Sequence, residues 1–278
     1  MKYHNENILH INEITILVKD IEVMLNYYTK VLGFELIKES NNIYELGVNN
    51  KTLVKFIHNP DASLKGRITG LYHFALLLPD EKYLGQIIKH YLETNEKIVG
   101  GSDHGVSQAL YLKDPENNGI EIYVDRPDTL WEYDNNGVIM ISEQLDYGTL
   151  IRNAFDEPFI TLPKDTIIGH VHFHVNDLLK AESFFIDTLG FTQSSYFVET
   201  ASFLSDQKYH HHVAVNTWNG VGINNRSENM TGLVSYQINI PKLKLKSFTN
   251  HLIDNKYEIL NDDNGNYIYD INNVKVYF

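Results

Sequence analysis

"INEITILVKDIEVMLNYYTKVLGFELI" (residues 11–37) returns, altered but in the same order, as "IGHVHFHVNDLLKAESFFIDTLGFTQS" (168–194). Each copy runs apolar strand, V-x-D, helical stretch, then Leu-Gly-Phe. Asp20 and Asp177 stand where a helix N-cap belongs, since a short carboxylate accepts from the first unpaired amides. Ile21, Leu25, Tyr28 and Leu32 recur at helical spacing. Gly33 and Gly190 follow at the position where a helix leaves through positive φ. A second, looser pair is "GLYHFALLLPDEKYLGQIIKHYL" (70–92) and "GLVSYQINIPKLKLKSFTNHLI" (232–253), each an apolar strand, a proline and an amphipathic helix. Short β-rich segments such as "NIYELGVNNKTLVKFI" (42–57) and "YIYDINNVKVYF" (267–278) follow the helices. The chain therefore reads as α+β, four β-α-β-β-β units, two per half: 1–127, a connector at 128–165 with a short helix in "SEQLDYGTLIRNAF", and 166–278.

With 278 residues and 43% apolar content, the chain has material for two substantial cores. A net charge of −13 argues against nucleic-acid and anionic-membrane partners. There is no cysteine, which excludes disulfides, thiolate metal sites and cysteine nucleophiles. The start, "MKYHNENILHINEITILV", is too polar for a signal peptide, and no run approaches the roughly 18 apolar residues of a membrane span. These features predict a soluble cytoplasmic protein.

The chemistry concentrates in "DHGVSQALYLKDPENNGIEIY" (103–123), where Glu121 stands between Ile120 and Ile122 in a strand that should be buried. A lone carboxylate in an apolar site costs several kcal/mol unless it is paired, hydrogen-bonded or bound to a cation. A second concentration is histidine-rich. "GHVHFHV" puts His170, His172 and His174 on one strand face, and "YHHHVAVN" adds His210, His211 and His212. No Gly-rich loop leads into a helix, and neither G-x-S-x-G nor H-E-x-x-H occurs, so phosphate-loop, serine-hydrolase and zincin chemistry are not indicated.

The four units resemble the vicinal oxygen chelate superfamily, which includes glyoxalases, fosfomycin-resistance proteins and type I extradiol dioxygenases. The likeness is strongest to the two-domain bacterial catechol 2,3-dioxygenase group and spans almost the whole length. The 103–123 stretch is similar to the extradiol signature through His104, Leu110–Tyr111, Asp114–Pro115 and Glu121. Ser102 and Asn117 depart from it. The resemblance implies paired units forming open cup-shaped antiparallel sheets around a divalent metal, with ligands from first and last strands.

Carried onto this chain, that implies a first-half cup with His73, Glu121 and Glu13 as ligands beside Lys55 and with His104 and Tyr111 as catalytic groups, and in the second half His211 at the place of the acid-base histidine. It also implies an alternative second-half site at His170 and His212, although Ser235 and Lys275 stand at the other ligand positions there. The implied function is extradiol cleavage of a catechol-like aromatic diol with O2 and a divalent metal, Fe(II) first and Mn, Ni or Zn as alternatives. A homo-oligomer is compatible with it. Glu13, where extradiol enzymes carry histidine, leaves open a glyoxalase-type isomerase or thiol transferase with a non-redox metal. The broken second-half ligands and Lys55 leave open a non-catalytic small-molecule binding protein. Each single residue also has a plainer reading: a packed strand histidine for His73, a turn cap for His104, core packing for Tyr111 and a solvent-facing strand residue for Glu13.

Overall fold

In a computed structural model, residues 1–195 and 199–278 are described. The first unit is β1 (His10–Val18), α1 (Ile21–Asn26), β2 (Glu35–Ser40), β3 (Ile43–Val48) and β4 (Lys51–His58). The second is β5 (Gly70–Leu77), α2 (Glu81–Glu93), β6 (Gly100–Asp103), β7 (Ser107–Lys113) and β8 (Gly119–Asp125). The connector carries β9 (Tyr133–Asp134), β10 (Gly137–Val138), β11 (Glu143–Gln144) and the expected short helix, α3 (Tyr147–Asn153). The third unit is β12 (Ile167–His174), α4 (Leu178–Ser183), β13 (Thr192–Ser195), β14 (Ala201–Ser205) and β15 (Val213–Asn216). The fourth is β16 (Gly232–Asn239), α5 (Lys242–Asp254), β17 (Leu260–Asp262), β18 (Gly265–Tyr269) and β19 (Lys275–Tyr277).

The helix signals act as the sequence implies. Asp20 Oδ1 accepts from the Val23 amide and Asp177 Oδ1 from the Lys180 amide. Gly33 and Gly190 take φ of +80° and +89°, which a side chain would resist. One local feature was not legible. Both α1 and α4 widen into a π-turn, Tyr27–Val31 and Phe184–Thr188, before those glycines.

The pairing of units differs from the expectation. The cups are not built within the halves 1–127 and 166–278. Among the described residues, β5 lies beside β12 in a nine-stranded sheet, so the second unit joins the third, and β1 lies beside β16 in an eight-stranded sheet, so the first joins the fourth. Both junctions are antiparallel. Within each unit, however, the first strand runs parallel to the last, giving mixed sheets. Strand, returning helix and three further strands leave the fourth strand pointing as the first did.

The central strands alternate between two environments. Phe74 and Leu76 of β5, Val171 and Phe173 of β12, Ile14 and Ile16 of β1, and Tyr236 and Ile238 of β16 share one buried core between the sheets. Ala75 and Leu77 face the other way and pack with Ala109 and Tyr123 inside the nine-stranded cup. One buried polar contact ties the first unit to this cup. Tyr28 Oη, from the π-turn, donates to Asp114 Oδ2 at 3.1 Å. Asp114 also accepts from the amides of Glu116 and Asn118 and from Asn118 Nδ2, fixing the turn that starts β8.

Because that carboxylate is buried, Tyr28→Phe should lower the unfolding free energy by about 1.5–3 kcal/mol, the range for hydrogen bonds to charged groups. Asp114→Ala should cost more, since it strands several buried donors at once. Urea unfolding of both variants checks this, and a negligible loss in Asp114→Ala would disconnect the turn from stability.

Candidate metal centre

Three strands meet at Ala75. In the ladder its neighbours are Glu121 on β8 and His170 on β12, while His73 lies two residues back on the same face of β5. The small side chain at 75 leaves room for the three larger ones. Gly119, paired with His73, lets β8 approach β5 closely, since a Cβ there would lie 2.1 Å from the Tyr72 carbonyl oxygen.

The donor atoms converge. Glu121 Oε2 is 3.0 Å from His73 Nε2 and 3.2 Å from His170 Nε2, and the two nitrogens are 3.3 Å apart. Relative exposures are 3% for Glu121, 6% for His73 and 1% for His170. Burial alone would raise the Glu121 carboxyl, but the adjoining imidazoles reverse this and hold it well below the usual carboxylate range. Burial pushes His170 down to about 4, against the pull of Glu121. At neutral pH Glu121 is ionised, and within ion-pair distance its buried charge meets only the two imidazoles among the described residues. His170 Nδ1 has no protein partner among the described residues.

A divalent metal fits this donor set. Two imidazole nitrogens and one carboxylate on one side form the two-histidine, one-carboxylate triad that leaves open positions for other ligands. A cation about 2.1 Å from each of three mutually perpendicular donors would set them roughly 3.0 Å apart, close to the spacings found. It would also cancel the buried charge. Among the described residues, this is the one group of three such side chains whose donors come within 4.8 Å of one another.

Two groups flank the triad. His104 donates Nδ1–H to the Ile141 carbonyl (2.9 Å), so its Nε2 accepts from Tyr111 Oη (2.7 Å). Tyr111 is the cross-strand neighbour of Glu121, and burial first, then the Glu121 charge, pushes its phenol well above the ordinary value. On the other side, the His211 ring lies 4.0 Å from that of His170, centroid to centroid. His210 donates Nε2–H to Asp125 Oδ1 (2.8 Å), so its Nδ1 accepts from His211 Nδ1–H (2.9 Å), and His211 Nε2 keeps its lone pair. Burial holds His211 well below the usual histidine value. A cavity of about 700 Å³ reaches His73 and Tyr111.

Of the expected ligands, His73 and Glu121 come together, and His170 joins them from what was expected to be a separate site. Glu13 does not. It lies on β1 in the other sheet, with its Oε1 2.8 Å from Lys55 Nζ. The reason is the pairing of units: the strand beside β5 is β12, so the third donor position belongs to His170. His212 is also elsewhere, accepting from the Asp206 amide at Nδ1 and donating to the Tyr3 carbonyl at Nε2, which uses both nitrogens. Lys275, cross-strand to Ser235, is paired with Asp262 in that other sheet. Asp125 and His210 were not singled out as site residues. The adjacency of His210 to His211 hinted at them, but Asp125 reaches them only through the β5–β12 junction.

The family model described as Glyoxalase/Bleomycin resistance protein/Dioxygenase superfamily matches residues 10–122. "Catechol-2,3-dioxygenase" of Bacillus subtilis is 39% identical over 237 residues, covering 84% of this chain and 83% of that protein. "Biphenyl-2,3-diol 1,2-dioxygenase 3" of Rhodococcus globerulus is 29% identical over 112 residues, 38% of this chain and 57% of that protein. The solved structure of glyoxalase I from Zea mays superposes with a TM-score of 0.56 at 15% identity, covering 96% of this chain and 91% of that one, a likeness of fold. The chain belongs to the glyoxalase/bleomycin resistance protein/dioxygenase superfamily, among its dioxygenase enzymes.

Proposed function

We propose that this chain is an extradiol ring-cleaving dioxygenase, acting on a catechol-like aromatic diol with O2 and Fe(II), as a soluble cytoplasmic enzyme of aromatic-compound breakdown. One observation carries the reading: His73 Nε2, His170 Nε2 and Glu121 Oε2 converge in a buried pocket at spacings of 3.0–3.3 Å. The relatives named for catechol and biphenyl diol cleavage support the same reaction class.

A divalent metal held by His73, Glu121 and His170, Fe(II) in this reading, would supply binding of the diol oxygens and electron exchange with O2. The protein's own groups handle the protons. His211 offers a neutral Nε2 as general base for a diol hydroxyl, held in that tautomer by His210 and Asp125. Tyr111 lines the cavity and donates its proton to His104, which leaves its oxygen free to accept from a substrate hydroxyl. His104 is thus a positioning residue. Burial of the triad limits water at the reacting atoms, which strengthens each of these contacts. The isomerase reading drew on Glu13 as a second carboxylate ligand, and the binding-protein reading on Lys55 and the broken second-half ligands. Glu13 and Lys55 pair with each other in the other sheet, and Ser235 and Lys275 lie in that sheet too, away from the triad.

Anaerobic loading with Fe(II), followed by catechol and air, should give a yellow ring-fission product, and its absence across several catechols would defeat the proposal. His170→Ala should weaken metal binding by more than the roughly 10–100-fold that loss of a supporting residue costs, while Glu13→Gln should leave it unchanged. Metal titration with elemental analysis reads both. His211→Ala should keep the metal but lower kcat by about 10²–10⁴, the usual contribution of a general base.

A further inference from the structure

The cavity that opens from His73 and Tyr111 has a volume of about 700 Å³, in the range of clefts that hold drug-sized ligands and more than a bare diol ring needs. Its charge is also out of keeping with the chain. The whole sequence carries 36 Asp and Glu against 23 Lys and Arg, yet this lining holds Lys65, Lys113 and Arg226 against one carboxylate, Glu143. Among the described residues none of these three cations forms an ion pair.

Two of them meet at one place. A Cβ built on Gly232 would lie 3.5 Å from Arg226 Cδ and 3.6 Å from Lys65 Cδ. Lys65 Nζ donates to Asn118 Oδ1 at 2.6 Å, and Asn118 immediately precedes Gly119, the cross-strand neighbour of His73. Arg226 spends Nε and Nη1 on the carbonyls of Leu233, Ser227, Glu228 and Met230, which leaves Nη2 without a protein acceptor among the described residues. Burial pushes the Lys65 ammonium down to about 8, against the pull of the Asp114 and Glu116 carboxylates. Asp114, behind Asn118, is already engaged by Tyr28, Asn118 and two amides.

Resting on the dioxygenase reading, we infer that the substrate is an aromatic diol with a carboxylate arm, the ring lying at His73 and Tyr111 and the arm reaching Lys65 and Arg226. A carboxylate oxygen suits the free Nη2 of a guanidinium whose other donors are already fixed. The same cations would disfavour a diol with a positively charged arm.

The test uses the full chain loaded with Zn(II), so that binding is read without turnover. Calorimetry compares a catechol bearing a propanoate arm, its methyl ester, and phenylpropanoate lacking both hydroxyls. The acid should bind about tenfold or more tightly than the ester, as for one or two charge-assisted contacts, with the preference shrinking as salt is added. Lys65→Met should cost the acid about tenfold and leave the ester unchanged, ester binding reporting that the cup is intact. Lys113→Met, at an exposed position, should cost the acid a few-fold at most. Equal affinity for acid and ester in the unmodified protein overturns the inference. So does an equal loss for both in Lys65→Met, which would make Lys65 only a counter-charge to Asp114. Phenylpropanoate binding as tightly as the diol acid would defeat the diol reading while leaving the anionic subsite standing. No binding by any of the three overturns both.

Discussion

A negative charge held among isoleucines organises this molecule. Ile120 and Ile122 turn into the shared core, which forces Glu121 to the opposite face of β8, inside the cup. A carboxylate there is tolerated only with compensation. The residues around it give hydrogen-bonding partners but no neighbouring Lys or Arg, since Glu121 has contacts within ion-pair distance only to His73 and His170 among the described residues. A divalent cation would satisfy that demand, and the small Ala75 and the glycine at 119 leave space beside the three donors.

The pairing of units decides which side chains can share that space. Once β5 lies beside β12, His73 and His170 face one another across the junction, and Asp125, His210 and His211 are drawn to the same cup. The other cup receives Glu13, Lys55, Ser235 and Lys275. A lysine at each last-strand position, paired with Glu13 or Asp262, fills with internal ion pairs the space where a cation would sit. The two cups share an architecture and differ in their electrostatics: one gathers histidines around a carboxylate, the other pairs its lysines with carboxylates.

Much of this was legible in the residues. The repeat fixed four units and their caps, and the isoleucines around Glu121 marked a buried charge. The 103–123 stretch carried His104 and Tyr111 into contact. What the sequence did not disclose was the partner of each unit. Strands β1 and β12 are both apolar and both open a unit, so periodicity cannot tell which of them will lie beside β5. That choice rests on long-range packing between sheets, and it moved the third donor from Glu13 to His170. The π-turns before Gly33 and Gly190 escaped for another reason: each occupies the last turn before its glycine, so almost no apolar stripe follows to show the change of period.

One divalent ion between His73, Glu121 and His170 would show in an anomalous-difference map from crystals of the Fe(II)- or Zn(II)-loaded protein. A single strong peak per chain is expected, in contact with both Nε2 atoms and Glu121 Oε2. No peak there, or an ion bound instead in the cup that holds Glu13 and Lys55, would rule the proposed centre out.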